Sequence, residues 1–213
     1  MVVFQRALGA RFQGLAAALA GKPAFWLVFI VTMFTWPIWR SIRSERDLPV
    51  RHRPVLGLVR DFTLRDQNGG ELGAEELRGR LWVASFTAVD CQPACIEAER
   101  VMTTMAELRH RTRNLGDALR LVTFTVAPDR DTAERMSALS VNHRASHGWR
   151  FVSGPPDRVR GVLRDFQVAE DIPQPRVALV DGDMRIRGYY DLDTDGALDA
   201  LLRDLSLLLT PGG

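Results

Sequence analysis

A short apolar run and the only two cysteines of the chain decide the fold. The stretch reads Leu81-Trp82-Val83-Ala84-Ser85-Phe86-Thr87-Ala88-Val89-Asp90-Cys91-Gln92-Pro93-Ala94-Cys95. Residues 81–87 are mostly apolar, as in a strand at the buried centre of a sheet. From Ile96 to about Arg111 the apolar residues follow helical spacing. The sequence therefore predicts that the cysteine pair lies on a turn from a central strand into the first long helix.

The position of the two cysteines favours reactive thiols. A helix N-terminus has free N–H groups and a partial positive charge, which lower the pKa of a nearby thiol. The four-residue offset between Cys91 and Cys95 can bring both sulfurs to one side of the first turn. Such a pair suits a structural disulfide, a cycling redox dithiol, or a soft-metal site in which two thiolates bind an ion such as Cu(I). The structural disulfide is disfavoured, because closing a short loop stabilises a chain less than closing a long one.

Composition indicates a globular protein with a basic N-terminal part. The 213 residues suffice for one ordinary domain plus an appendage, and 46% of them are hydrophobic and 25% charged. A net charge of +2 gives no support for a nucleic-acid surface, so we expect no nucleic-acid partner. Residues 1–60 hold nine basic and two acidic residues, and residues 61–213 hold nineteen and twenty-four. We interpret the first part as membrane-proximal and the second as the folded domain.

An uncharged run near the N-terminus predicts a membrane anchor. Residues 24–39 contain no charge and are flanked by Lys22 and Arg40. The run is slightly shorter than the roughly 20 residues of a spanning helix, and snorkelling of the flanking basic residues covers the difference. Because no small-residue cleavage site follows, an uncleaved anchor over residues 24–40 is preferred to a signal peptide and to a buried core helix.

The chain is predicted to have four parts. An N-terminal flank (1–23) precedes the anchor (24–40), a linker with dense charges and two prolines follows (41–60), and residues 61–213 form the domain. The arginines after the anchor would place the domain in the cytoplasm by the positive-inside rule, but long domains translocate largely regardless of charge. The sequence leaves the orientation open.

The order of predicted elements indicates an α/β domain with a thioredoxin-like three-layer architecture. A second apolar strand over Leu119–Val126 and a hairpin that turns at Asp181-Gly182-Asp183 predict a parallel core with an antiparallel hairpin. The other predicted elements are a strand over Asp61–Asp66, a turn at Asn68-Gly69-Gly70, a short helix over Gly73–Arg78, a helix capped by Asp131 or Thr132 that runs to about Asn142, a strand over Trp149–Val152, a helix over Asp157–Phe166, the two hairpin strands Val177–Val180 and Met184–Tyr190, and a last helix over about Asp195–Leu209.

Five motifs follow one another between Pro54 and about Tyr190. They are Asp61-Phe62-Thr63-Leu64 with Asn68-Gly69; Leu77-Arg78-Gly79-Arg80-Leu81-Trp82-Val83; Phe86 with the cysteines at three-residue spacing; Pro128-Asp129-Arg130-Asp131-Thr132; and Trp149-Arg150-Phe151-Val152-Ser153-Gly154 before a helix that ends at Phe166. In this order they resemble the Sco/SenC family of copper-handling, thioredoxin-like, membrane-anchored proteins. Each motif alone is weakly specific, and the five together cover about two thirds of the chain.

The resemblance implies a copper site, but this sequence departs from the family pattern at the third ligand. Family members with copper activity usually carry a histidine just before the late strand as a third ligand, whereas residues 171–176 read Asp-Ile-Pro-Gln-Pro-Arg here. Thiolates suit Cu(I) and imidazole suits Cu(II), so we expect Cu(I) rather than Cu(II) at Cys91 and Cys95. We interpret His143 and His147 as solvated surface residues, and Arg176 as a solvated arginine rather than a partner of a thiolate.

Two function hypotheses follow. The first is an accessory protein that binds copper through Cys91 and Cys95 and acts in respiratory cytochrome oxidase assembly or electron transport. The second is a membrane-tethered thiol–disulfide oxidoreductase that uses the same pair without copper, which leaves open whether the protein is an enzyme. A degenerate member with a static disulfide is a third possibility. The expected partners are the membrane, through the N-terminal helix, and a respiratory oxidase subunit or another thiol protein. We expect a single-pass protein with its domain on the periplasmic side.

Overall fold

A mixed sheet of eight strands organises the described part of the domain. The computed structural model describes residues 26, 30–35, 54–90, 95–145, 148–171 and 173–209. The strands are β1 (Gly57–Leu58), β2 (Thr63–Asp66), β3 (Glu71–Gly73), β4 (Leu81–Thr87), β5 (Leu119–Thr125), β6 (Trp149–Ser153), β7 (Arg176–Val180) and β8 (Arg185–Asp191). The helices are α1 (Ala74–Leu77), α2 (Cys95–Arg111), α3 (Ala133–Asn142), α4 (Pro156–Asp165) and α5 (Ala197–Leu209), with a 3-10 segment over Arg113–Ala118.

The strand order confirms the predicted parallel core with an antiparallel hairpin. The order is β1-β8-β7-β4-β5-β6-β2-β3. Strands β4, β5 and β6 are parallel, with Phe86 beside Phe124 in the register, and β7 and β8 are antiparallel to their neighbours. Parallel strands need crossover connections, and helices α2 and α3 lie in these connections. The carboxyl ends of β4 and β5 therefore lie at the same edge of the sheet, next to the cysteines in sequence.

Two apolar layers cover the two faces of the sheet. Successive residues of β4 point to opposite faces, so Trp82 belongs to one buried cluster and Val83 to the other. The first cluster contains apolar residues of α1 and α4, and the second contains those of α2, α3 and α5. This arrangement confirms the three-layer architecture that the sequence predicted.

Gly182 lies at a close approach of two turns. A Cβ atom at this position would lie 2.9 Å from the Cα of Gly79 and 3.0 Å from its carbonyl carbon. The N–H of Gly79 donates to the carbonyl of Gly182 (2.9 Å), which fixes the two turns against each other. The turn between β7 and β8 therefore has no room for a side chain at residue 182.

Replacing Gly182 by alanine is expected to lower the free energy of unfolding by about 1–3 kcal/mol, because backbone atoms must move to admit the methyl group. Urea denaturation of the two proteins measures this difference. Gly161→Ala is the matched control, since a Cβ there meets only Arg164 Nη2 at 4.0 Å and the position is helical. A Gly182→Ala protein as stable as the Gly161→Ala protein would contradict the close approach.

Strand β1 was not predicted, and it lies in the stretch that the sequence analysis assigned to the linker. Gly57 and Leu58 pair with Ile186 and Arg185 of β8. The next residue, Val59, is 2% exposed and donates its N–H to the carbonyl of Met184 (2.9 Å). Residues 57–59 thus belong to the folded domain. Two residues are too few to show a strand pattern, so the pairing with β8 decides their structure.

Met184 was predicted to begin the last strand, and this was wrong. Its φ of 63° lies in the left-handed region, and it belongs to the turn before β8. The Asp181 carboxylate accepts hydrogen bonds from the N–H groups of Asp183 and Arg185, both at 3.0 Å. These bonds close a longer loop than the two-residue turns of simple hairpins, and the Met184 side chain is buried beneath it.

Most of the predicted N-terminal segments lie outside the described residues. These are the flank (1–23), the anchor (24–40) except for residues 26 and 30–35, and the linker up to residue 53. Residues 30–35 are helical. Among the described residues, no helix combines the length and the apolar character that crossing a membrane requires. The chain divides into two compact units, Met1–Leu48 and Pro49–Gly213.

Candidate thiol and metal site

Cys95 lies where the sequence predicts it, in the first described turn of helix α2. It is an exposed residue, it lines a groove of about 480 Å³ along α2, and it is disulfide-bonded. Cys91, the only other cysteine of the sequence, lies outside the described residues. The two elements that flank the cysteine turn, β4 and α2, match the predicted strand and helix. The structure therefore shows that Cys95 is accessible at the start of α2. The role of Cys91 as its partner stays a prediction.

The Asp129-Arg130-Asp131 segment connects three parts of the fold at this edge of the sheet. Asp129 pairs with Arg160 of α4, and Arg130 pairs with Asp171 (3.1 Å) in the segment before β7. Asp131 accepts the N–H of Val89, two residues before Cys91 (3.0 Å). The next residue, Thr132, caps α3 by accepting the N–H of Arg135 (3.4 Å), as one of the two predicted caps. We call residues 127–132 the Asp-Arg-Asp loop.

Arg160 holds the outer side of the Asp-Arg-Asp loop. Its Nε lies 2.8 Å from the carboxylate of Glu170, and its guanidinium also pairs with Asp129. The hydrogen bond that Arg160 donates to Glu170 and the negative charge of Asp129 raise the pKa of Arg160 above its ordinary value. The arginine therefore stays charged and crosslinks α4, the Asp-Arg-Asp loop and the segment before β7.

The segment before β7 offers no imidazole in its described residues, which are 171 and 173–175. Asp171 donates its N–H to the carbonyl of Val126 (2.8 Å), and its carboxylate pairs with Arg130. Pro175 accepts the N–H of Leu192 (2.6 Å). This segment thus packs beside the end of β5 through backbone bonds and an ion pair with the Asp-Arg-Asp loop.

Arg176 is half-buried, so its interpretation as a solvated arginine was wrong. Its Nη2 donates to the carbonyls of Phe166 (3.3 Å) and Gln167 (3.1 Å), and its guanidinium carbon lies 4.6 Å from the ring centroid of Tyr189. Burial raises the pKa of Tyr189, and the charge of Arg176 partly opposes this increase. The last carbonyls of a helix have no partner within the helix, and those at the end of α4 accept the guanidinium N–H groups of Arg176. The sequence next to Arg176 does not reveal this contact.

Two of the four histidines lie within the described structure. His110 is exposed on α2. His143 is half-buried at the C-terminal end of α3, where its backbone N–H donates to the carbonyl of Leu139 (3.1 Å). His52 and His147 lie outside the described residues. Within the described ranges, no three His, Cys, Asp or Glu side chains are grouped so as to hold a metal ion. A metal site at the cysteine turn therefore stays a prediction.

The larger cavity lies away from these residues. It has a volume of about 730 Å³ and is bounded by β2, β3, α1 and α4. Arg60 and Asp165 at its rim pair with each other (2.6 Å), and Asp61 pairs with Arg78. Cys95 does not line it. No cysteine, serine or histidine is among the described residues that line this cavity, so the thiol position is the better candidate site.

Sequence reasoning missed a set of buried hydroxyls beneath the cysteine turn. The Ser85 and Thr123 hydroxyls lie 2.8 Å apart, and Trp149 Nε1 donates to Thr123 (2.8 Å). Thr87 and Thr125 are buried two residues further along the same two strands. The sequence contained a signal for this set, because hydroxyl residues occur at alternate positions of two apolar strands. Alternate positions of a strand share a face of the sheet.

Comparison with known proteins identifies relatives of this chain. Residues 51–200 match the family model described as SCO1/SenC. A SCO1 protein homolog of Bacillus subtilis (strain 168) is 27% identical over 97 residues, which are 45% of this chain and 49% of that protein. The match thus spans about half the length of that curated relative.

Solved structures share the fold. One solved structure is that of BsSco, which is described as having a disulfide switch and as a member of the Sco family of cytochrome c oxidase assembly proteins. Its sequence is 22% identical to that of this chain. The alignment covers 75% of this chain and 98% of that chain, with a TM-score of 0.64. Bradyrhizobium japonicum ScoI with copper bound is 20% identical, covers 71% of this chain and 99% of that chain, and has a TM-score of 0.58. Likeness at this identity establishes the thioredoxin-like α/β fold of Sco proteins.

Proposed function

The chain belongs to the SCO1/SenC family, and from this premise we propose that Cys91 and Cys95 bind copper as Cu(I) in the assembly of a respiratory cytochrome oxidase. The observation that carries the proposal is the exposed position of Cys95 where the chain passes from the central strand β4 into α2. A Sco relative with the same fold has been solved with copper bound. A thiolate pair with one exposed member can take up a soft ion and release it to another protein.

The donor set favours Cu(I) over Cu(II). Two thiolates satisfy a soft ion in an open site, whereas Cu(II) prefers additional imidazole ligands. The polar side chains before β7 are already engaged, since Asp171 pairs with Arg130 and Arg176 bonds to main-chain carbonyls. An arginine cannot ligate a metal, because it has no acceptor atom. The chain therefore offers copper two sulfur ligands and no described third one.

An open site with two thiolates affects both the binding of Cu(I) and its transfer to an acceptor protein. The thiols must lose their protons when the metal binds, so the affinity for Cu(I) rises with pH as long as thiols remain protonated. A ligand of the acceptor protein can approach from the exposed side of Cys95. We infer that the acceptor is an oxidase subunit or another thiol protein, as the family relationship indicates.

The experiment that tests the copper proposal is an anaerobic Cu(I) titration of the reduced protein. Wild type is compared with Cys91→Ser, which removes one thiolate and leaves the domain otherwise unchanged. Cu(I) affinity that does not depend on Cys91 would refute the assignment of the site.

A second candidate function is disulfide exchange, and the oxidised, exposed state of Cys95 favours it. In this reaction a thiolate of a partner attacks one sulfur of the pair, forms a mixed disulfide and releases the other sulfur as a thiolate. That thiolate can then attack the mixed disulfide to reverse the step, or a second partner thiol completes the reduction. The reduction potential of the pair decides this candidate. A value below about −300 mV would mark a static structural bond and exclude a cycling dithiol.

We also propose that residues 24–40 anchor the domain on the outer side of a membrane. The uncharged run with basic flanks supports the anchor. On the outer side a disulfide at Cys95 would persist, because extracytoplasmic compartments are oxidising. Alkaline phosphatase fused after residue 213 should be active in cells if the domain is exported. A fusion that is inactive while a fluorescent fusion is bright would place the domain in the cytoplasm.

A further inference from the structure

A buried carboxylate lies at the ends of strands β4 and β5. Asp131 is 2% exposed, and its Oδ2 accepts two hydrogen bonds, one from the N–H of Val89 (3.0 Å) and one from the hydroxyl of Thr125 (2.6 Å). The Thr125 hydroxyl itself accepts the N–H of Ala127 (2.9 Å). The N–H of Asp131 donates to the carbonyl of Ala127 (2.9 Å). These bonds hold the carboxylate rigidly at the end of β5.

The bond to Val89 fixes the chain just before the cysteines. Strand β4 ends at Thr87, whose carbonyl accepts the N–H of Val126 (2.8 Å) as the last bond of that ladder. Val89 follows two residues later, and Cys91 two residues after that. A hydrogen bond to a carboxylate is roughly twice as strong as one between neutral groups. The Asp131 carboxylate therefore determines where the chain leaves the sheet toward Cys91.

A role in stability alone does not account for this residue. Asp131 Oδ1 is also buried and has no hydrogen-bond partner within the described structure. A buried carboxylate oxygen without a partner costs free energy. The same is true of the nearby Thr87 hydroxyl, which is buried and unpartnered among the described residues. The cost of burying these unpartnered atoms indicates that residue 131 has a role other than stability.

We propose that Asp131 is a positioning residue that fixes the chain at Val89, two residues before Cys91, and so sets the equilibrium between disulfide and dithiol of the cysteine pair. The observed bond to Val89 occurs together with a disulfide-bonded Cys95. Loss of the bond frees the turn and removes stabilisation from the oxidised form, so the pair becomes easier to reduce. The inference rests on the proposed role of the cysteine pair as the functional site, and it does not require copper.

The test is the equilibrium of the full-length protein with dithiothreitol. In this reaction the protein disulfide gains two electrons and two protons to become two thiols, while dithiothreitol becomes its cyclic disulfide. The equilibrium constant for reduction is expected to rise about tenfold in Asp131→Ala, which loses a charge-assisted hydrogen bond. Asp131→Asn, which keeps an acceptor oxygen, should recover the wild-type constant to within about threefold.

Thr125→Val is the matched control. It removes a buried hydrogen bond to the same carboxylate but leaves the bond from Val89. It should lower stability toward urea and leave the equilibrium constant within about twofold of wild type. If Asp131→Ala does not fold, Val89→Pro removes the same bond from the donor side and should give the same tenfold rise.

Two outcomes would overturn the proposal. One is an unchanged equilibrium constant in Asp131→Ala, with a loss of stability like that of Thr125→Val. The other is an equal shift in Thr125→Val. Failure of the copper proposal is recognised separately, because wild-type protein would then bind no Cu(I) while the dithiothreitol equilibria of the variants still differed.

Discussion

The disulfide-bonded protein is expected to bind no Cu(I), whereas the fully reduced protein is expected to bind one Cu(I) per chain. Cys95 is disulfide-bonded in the structure, and a disulfide sulfur lacks the negative charge that makes a thiolate a metal ligand. The described residues contain no other cluster that would retain the ion. Both forms are exposed anaerobically to Cu(I) held by a weak chelator, desalted and assayed for copper.

Histidine variants serve as controls for this result. His110→Ala and His143→Ala remove an exposed and a half-buried imidazole, and both should leave the copper content of the reduced protein unchanged. If the oxidised protein retained as much Cu(I) as the reduced protein, copper binding would not depend on free thiols. If His143→Ala lost copper, the site would contain a third ligand.

Replacing Phe124 by alanine is expected to lower the free energy of unfolding by about 3–5 kcal/mol. Phe124 is fully buried at the carboxyl end of β5. Its ring centroid lies 5.7 Å from Phe62, 6.0 Å from Phe86, 6.0 Å from Phe166 and 6.4 Å from Trp82. Alanine would leave a cavity among four aromatic rings that cannot all move inward. The loss is a large share of the roughly 5–15 kcal/mol that stabilise a typical domain.

Urea denaturation at constant pH measures this change. The control is Val141→Ala on α3, where a side chain that is 72% exposed is shortened and the cost should stay below about 0.5 kcal/mol. A cost of less than about 1 kcal/mol for Phe124→Ala would show that the aromatic cluster is not the centre of the core. The folded fraction of Phe124→Ala should still bind Cu(I), since Phe124 is not one of the proposed ligands.

The central strands could be predicted from the sequence because their residues are buried on both faces. Strand β4 was predicted over Leu81–Thr87 and has these bounds, since this mostly apolar run is buried along nearly its whole length. Strand β5 ends at Thr125, one residue before the prediction. Helix α2 was found from its apolar spacing, and its residues Val101, Met105 and Leu108 are buried as a face that covers the sheet.

Features that depend on distant partners could not be predicted. Strand β1 exists because β8 provides a free edge for Gly57 and Leu58, and two residues carry no pattern of their own. Arg176 is half-buried because the end of α4 presents carbonyl groups to it. In both cases the deciding contact comes from more than eight residues away in the chain.

The candidate site was predicted in part. The strand-to-helix turn with Cys95 follows from local patterns, and the structure places Cys95 there as an exposed residue. Asp131 was noticed as a possible helix cap, yet its carboxylate bonds to Val89 across the sheet. An aspartate in a charged turn looks solvated from sequence alone, because the burial of this loop depends on the packing of β4 against β5. Copper binding by Cys91 and Cys95 stays a prediction.

The measurement that tests the central claim most directly is an anaerobic competition titration of the reduced protein with a Cu(I) chelator. Wild type should bind one Cu(I) per chain, and Cys91→Ser and Cys95→Ser should each bind at least about 100-fold more weakly, because a single thiolate remains. Equal affinities of the wild type and both variants would contradict the claim that the cysteine pair is the copper site of this protein.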